Sequence, residues 1–181
     1  GAITASSAST ISVTGGSALT LKSTDAGSTA APVLFLQRDS ASPADNDLLG
    51  KIQFVGDDDG GNTVDYATIN IKSIDVSDGS EDGEFDISTV VGGTSRSRMR
   101  ADGSETIFNE NSVDVDFRVE SDGNANMLFV NAGDNAVLVG KTSADNSTAG
   151  QSLYGSSGMS TTRSGGVSLI CNRLSDDGQL I

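Results

Sequence analysis

The sequence contains no His, no Trp and only one Cys among its 181 residues. Without His, neither a Ser-His-Asp triad nor a Cys-His pair can be assembled, which removes the commonest forms of nucleophilic catalysis. A single Cys rules out a disulfide framework within one chain. Tyr66 and Tyr154 are the only Tyr residues, and sites that stack sugar rings usually depend on Trp or Tyr. These absences favour a protein that is not an enzyme.

Basic residues are also scarce. The 11 Lys and Arg residues are outnumbered by 25 Asp and Glu residues, which gives a net charge of −14. Because nucleic-acid binding requires clustered Lys and Arg to contact phosphates, we expect no nucleic-acid partner. No segment approaches the ~20 apolar residues of a membrane-spanning helix, so we expect no membrane insertion. The acid excess is typical of a solvated surface that resists aggregation.

Large apolar residues are few. Leu, Ile, Val and Phe together number 42. Burying so few large apolar side chains in one chain would hardly offset the backbone entropy cost of folding, roughly 1–2 kcal/mol per residue. Asp-Gly and Gly-Gly dipeptides nevertheless recur between apolar alternations, as turns do. We therefore expect an oligomer in which each chain supplies part of a shared core, and a homotrimer fits this requirement best.

The segment from Asn111 to Gly140 carries the clearest pattern. Apolar residues alternate with charged ones through its first half, as in a strand with one dry and one wet face. Asp122-Gly123 then predicts a turn, Met127–Val130 a second strand and Ala136–Val139 a third. Such short strands cannot enclose a core alone. The residues that we expect to form the inward-facing core of a trimer are Val113, Val115, Phe117, Val119, Phe129 and Val139.

This segment resembles the shaft of bacteriophage tail fibres and tail spikes, particularly those of marine phages. The resemblance rests on Val115–Val130, followed by the step Val139-Gly140-Lys141-Thr142. The run Leu34–Glu84 is similar to a module found upstream in such fibres. Cys171–Ile181 resembles the lead-in to a further fibre segment, which in related proteins often ends in a self-cleaving intramolecular chaperone.

The resemblance implies both a fold and a function. The implied fold is an all-β homotrimeric fibre, with a small antiparallel β-meander domain and an intertwined β-prism or triple β-helix shaft. The implied function is host-cell attachment by a virion protein on the exterior of the phage tail. Its partners would be other tail or virion proteins and a host receptor, either a glycan or an outer-membrane protein. Two alternatives stay open: a polysaccharide-depolymerising tail spike, and a capsid or neck fibre.

Changes in composition along the chain predict four regions. They are a thin N-terminal connector (1–31), an antiparallel β domain (32–104), a β-repeat shaft (105–140), and an irregular wrap with a last strand that leads into a further distal segment (141–181). Further strands are predicted at 33–37, 51–55, 63–74, 84–91, 95–100, 106–108 and 167–171, with a hairpin at 11–21. The strand at 106–108 is expected to open the shaft. Short polar connections predict antiparallel pairing of consecutive strands. Because no segment has an apolar stripe of helical period with capping residues, we expect very little helix.

Three patterns resemble known sites, and each has a simpler interpretation. Asp57–Asn62 offers carboxylates for calcium, but Gly61 falls where an EF-hand needs a third side-chain oxygen, which favours an acidic hairpin loop. Gly140-Lys141-Thr142 matches the end of a phosphate-binding P-loop motif, but Asn135 occupies the position of the first Gly that the motif requires. Carboxylate pairs of the glycosidase kind arise by chance among 25 acids. We therefore predict no catalytic, cofactor-binding or metal site.

Overall fold

The computed structural model describes residues 5, 7–155 and 158–169. The chain divides into two units, the first ending at Ser42 and the second beginning at Pro43. The ten strands of the described chain all lie in the second unit, and these residues include no helix. The fold is therefore all-β, as predicted.

The second unit contains two five-stranded antiparallel sheets, in which every strand pairs with its neighbours in sequence. This is the meander that short polar connections predict. The first sheet comprises β1 (Leu48–Asp57), β2 (Thr63–Asp75), β3 (Asp82–Val91), β4 (Thr94–Ala101) and β5 (Thr106–Phe108). The second sheet comprises β6 (Phe117–Ser121), β7 (Asn124–Asn131), β8 (Ala136–Val139), β9 (Gly150–Tyr154) and β10 (Gly158–Thr162).

The turns between strands follow from the residues at their centres. Gly92 and Gly93 have φ values of 56° and 76°, so the two-residue connection between β3 and β4 has the backbone twist of a favoured hairpin turn. Between β1 and β2, the Asp58 carboxylate accepts hydrogen bonds from the backbone N–H groups of Gly60 and Asn62. The connection between β1 and β2 is therefore a hairpin loop held by an Asp side chain.

Two predicted elements of the first unit are wrong. Residues 11–21 form no hairpin, and residues 33–37 form no strand. Their apolar residues suit a strand, but a strand is stable only where neighbouring strands pair with its backbone and an apolar face is packed. The first unit supplies no such strand among its described residues.

The start of the predicted shaft also differs. β6 begins only at Phe117, so Val113 and Val115 precede the strand. The side chain of Asn109 holds this irregular segment, because its Nδ2 donates to the carbonyl of Val113 at 2.8 Å. The strand predicted at 106–108 exists as β5, but it pairs with β4 at the edge of the first sheet.

The region after β8 is more regular than its composition predicts. Residues 141–164 were expected to form an irregular wrap, yet they contain β9 and β10. The physical reason is that the edge of β8 offers unpaired backbone groups, with which β9 pairs. In the predicted strand 167–171, residues 167–169 form no strand, while Ile170 and Cys171 lie outside the described residues.

Candidate oligomerisation surface

One face of the first sheet carries a row of apolar side chains, one from each strand. In an antiparallel sheet, residues directly opposite each other project from the same face. The register aligns such residues across all five strands. The row consists of Ile52, Ile69, Ile87, Met99 and Phe108. Ile52 remains 40% exposed and Phe108 50% exposed, while the three central members are half-buried, so the chain covers this row only in part.

The second sheet repeats the arrangement. Its register aligns one apolar residue from each of its five strands. This row consists of Phe117, Val130, Val137, Leu153 and Met159. Leu153 is 46% exposed and Met159 57% exposed, so the chain also covers this row only in part.

The two rows meet where the sheets adjoin. The rings of Phe108, at the end of the first row, and Phe117, at the start of the second, lie with their centroids 4.9 Å apart. An apolar line with one residue from each of ten strands thus runs along the second unit. We call these ten residues the apolar row. A partly exposed apolar strip of this length is a candidate surface for contact with another molecule.

Ion pairs of the first sheet lie on the face opposite the apolar row, whereas on the row side Arg98 donates to the Thr89 hydroxyl at 2.6 Å. On the opposite face Lys72 pairs with Glu84 at 2.8 Å, and Arg100 pairs with Glu110 at 2.8 Å. Asp86 accepts hydrogen bonds from Ser88 at 2.5 Å and from Ser97. The first sheet therefore has one face with an apolar row and one face built from ion pairs and hydroxyl hydrogen bonds, as expected when only one face packs.

The opposite face of the second sheet is covered by the chain itself. Phe129 and Leu138 are paired across β7 and β8, and both are buried. With Ala136 they form a small core, against which Ala144 and Tyr154 pack. Because the segment between β8 and β9 supplies Ala144, the chain closes this face and leaves the face of the apolar row open.

The segment between β8 and β9 is held by one carboxylate. Asp145 accepts hydrogen bonds from Ser143, from the backbone N–H of Ser147 at 2.7 Å and from that of Thr148 at 2.6 Å. These donors hold the pKa of Asp145 well below its usual range, the Ser143 hydroxyl contributing most. The buried Lys141 donates through Nζ to the Asp145 carbonyl at 2.5 Å. This hydrogen-bonded loop is therefore a cover for the small core.

The predicted trimer-core residues occupy different places. Phe117 lies in the apolar row; Val119 and Val139, by strand alternation, lie on the same open face. Phe129 lies on the opposite face, inside the chain's own core. Val113 and Val115 are half-buried in the irregular segment before β6.

Sequence reasoning did not nominate the other nine members of the apolar row. The signal was present in the first sheet, where Ile52, Ile69 and Ile87 recur in separate strands, but only the pairing register shows that they align. Leu153 and Met159 had no signal, since β9 and β10 were not predicted. In the described part of the chain, no three or more His, Cys, Asp or Glu residues form a group able to hold a metal ion.

In comparisons with models of protein families, with curated proteins and with solved structures, the chain matches none. No helix of the described residues is long and apolar enough to cross a membrane.

Proposed function

We propose that this protein is a structural component of a bacteriophage tail fibre, exterior to the particle, which mediates attachment to the host cell. Three copies associate through the apolar row, and each contributes one side of a β-prism. The observation that carries the proposal is the partly exposed line of one apolar residue from each of ten strands. Its assignment to a phage rests on the resemblance of Val115–Val130 to fibre shafts.

The second sheet is covered by its own chain on one face only, and this supports association of identical chains through the other face. A core made of Phe129, Ala136 and Leu138 stabilises the sheet from one side only. The other side has no covering segment among the described residues, although its Leu153 and Met159 are about half exposed. A closed ring of identical chains covers all copies of this face equally.

Antiparallel meanders favour the prism over the triple β-helix as the form of the shaft. In a prism, each chain keeps its own sheet and turns one face inward. That requires a sheet with one apolar face and one face that is polar or covered, which both sheets have. The polar face of the first sheet, with Arg100 and Glu84, then faces the solvent.

The energies are of the right size for a stable assembly. Burying a Leu, Ile, Val, Phe or Met side chain completely contributes about 1.5–3 kcal/mol, so covering a half-exposed one contributes about 1 kcal/mol. Five members of the apolar row are between 36% and 57% exposed, and three copies provide three such sets. The total, on the order of 15 kcal/mol, lies within the roughly 8–30 kcal/mol that the two association steps of a trimer cost, at about 4–15 kcal/mol each. The half-buried members of the row add to it.

The assembly is tested by the change Phe117→Asp. We expect loss of the oligomer, because a carboxylate would have to be buried at the junction of the two sheets. Electrophoresis in SDS without boiling is the measurement. An intact, SDS-resistant trimer that carries the change would refute the shared core.

The place in the virion needs a separate test. Antibodies raised against the purified protein should label the tail exterior of the phage in electron micrographs and should block adsorption to host cells. Labelling of the capsid or neck would replace the tail assignment by that of a capsid or neck fibre.

A further inference from the structure

The first unit exposes several large apolar residues. Ile11, Val13, Leu19 and Leu21 alternate with Ser, Thr or Ala, and each is at least 47% exposed. The run Val33–Leu36 is apolar throughout and between 54% and 75% exposed. Both patterns are those of strands, yet no strand forms there. An exposed segment with a strand pattern is available for pairing with another chain.

The charge distribution limits the chemistry of the partner. The protein has 36 charged side chains, 11 basic and 25 acidic, but residues 1–37 contain only Lys22 and Asp25. This segment is thus nearly free of charge in a strongly acidic protein. A basic or acidic partner would be recognised by complementary charges, which the segment does not offer.

A second copy of the same segment meets the requirement. In parallel, in-register pairing, each side chain lies beside its own counterpart, so every charge would lie beside a like charge, which is destabilising. With Lys22 and Asp25 as its only charges, the segment brings few like charges together. Pairs of Thr, Val, Ile or Leu across adjacent strands are favourable.

We infer that residues 7–37 form β-strands only between copies of this chain, parallel and in register. This inference rests on the proposed trimer, and it names the N-terminal unit as a second inter-chain contact, separate from the apolar row. In the assembly the segment is a β-structured stalk rather than a loose connector.

The test is cysteine cross-linking of the full chain. With Cys171 replaced by Ser, Val13→Cys places identical thiols on adjacent strands. In-register strands lie about 4.7–4.9 Å apart, which is within the Cα separation of a disulfide, about 4.4–6.8 Å. We expect mild oxidation to convert most of the protein to a covalent dimer band. The matched control is Asp78→Cys, in the exposed loop between β2 and β3, which should cross-link at least about tenfold less because it is not placed beside its counterpart.

Hydrogen exchange of the unmodified chain provides an independent readout. Amides in residues 7–37 should exchange at least about 100-fold more slowly than those of an unstructured peptide, because inter-chain pairing protects them. A trimer with fast exchange there and no excess cross-linking at Val13→Cys overturns the inference and leaves the proposed function standing. A monomer overturns both. Cross-linking at this position in a dimer supports the pairing and overturns the trimer.

Discussion

The substitution Leu153→Asp distinguishes between two hypotheses: that the apolar row is buried between chains, and that it faces water. Leu153 lies in β9, pairs across to Val137 and Met159, and is 46% exposed in the single chain. If the row faced solvent, a carboxylate at this position would cost little, within about 0.5 kcal/mol as for most surface changes. If the row is the centre of a trimer, the same carboxylate must be buried beside two copies of itself.

The expected magnitude follows from the exposed fraction. Replacing Leu153 forfeits about 1 kcal/mol of burial per chain, and burying an unpaired polar group costs roughly 1–3 kcal/mol more. Over three chains the loss is about 6–12 kcal/mol, and each 1.4 kcal/mol is a factor of ten in the association constant. The trimer should therefore dissociate at micromolar concentrations, where the unchanged protein stays associated.

Sedimentation velocity at several concentrations measures the effect. The matched control is Ala125→Asp in β7, an exposed position that strand alternation places on the opposite face, so it adds the same charge without entering the row. The control should remain a trimer and the Leu153 variant should not. If both variants sediment like the unchanged protein, the apolar row is not an interface.

Three further changes probe the second sheet. Gly150→Ala should destabilise the fold by about 2–4 kcal/mol, because an added Cβ would lie 2.6 Å from the Val139 carbonyl oxygen at a φ of 137°; urea unfolding measures this, and an unchanged midpoint would contradict it. Ser152→Ala should raise the free energy of unfolding by about 1 kcal/mol, since the buried Ser152 hydroxyl has no hydrogen-bond partner among the described residues; a loss of stability would reveal a partner. Asp145 has a pKa lowered by hydrogen bonding, so the stability it contributes is present above its unfolded pKa of about 4 and is lost as the pH falls below that value. Melting temperatures should therefore fall more steeply below about pH 4 in the unchanged protein than in Asp145→Asn.

The sequence predicts the first sheet well because its strands are long and alternate cleanly. Thr63–Asp75 and Asp82–Val91 lie where the period-2 pattern places them. Gly92 and Gly93 form the turn between β3 and β4 that their backbone freedom favours. Local pattern and tertiary pairing agree in this part of the chain.

The predicted strands are wrong where the pairing of strands, rather than the apolar alternation of the sequence, decides the structure. Val113 and Val115 alternate with Asp, but the side chain of Asn109 bonds to the backbone around them and delays the strand. β9 has only a weak apolar alternation, yet it forms a strand because its backbone pairs with the open edge of β8. Residues 33–37 show the opposite case, a strong strand composition without a neighbouring strand in the described chain.

The apolar row could be predicted only in part. Alternation shows that Ile69 and Ile87 each lie on an apolar face, but their alignment depends on register, which bulges shift by one residue. For Phe129, alternation cannot tell which side of the sheet the chain will cover. The small core with Ala144 depends on the path of the segment between β8 and β9, which no periodic pattern records.

The mass of the unchanged protein in solution, measured by light scattering, tests the central claim most directly. Shared burial of the apolar row predicts a mass near three times the 18.4 kDa of the chain, independent of dilution through the micromolar range. A folded monomer of 18.4 kDa would show that the apolar row stays open to water, and the fibre proposal would then be wrong.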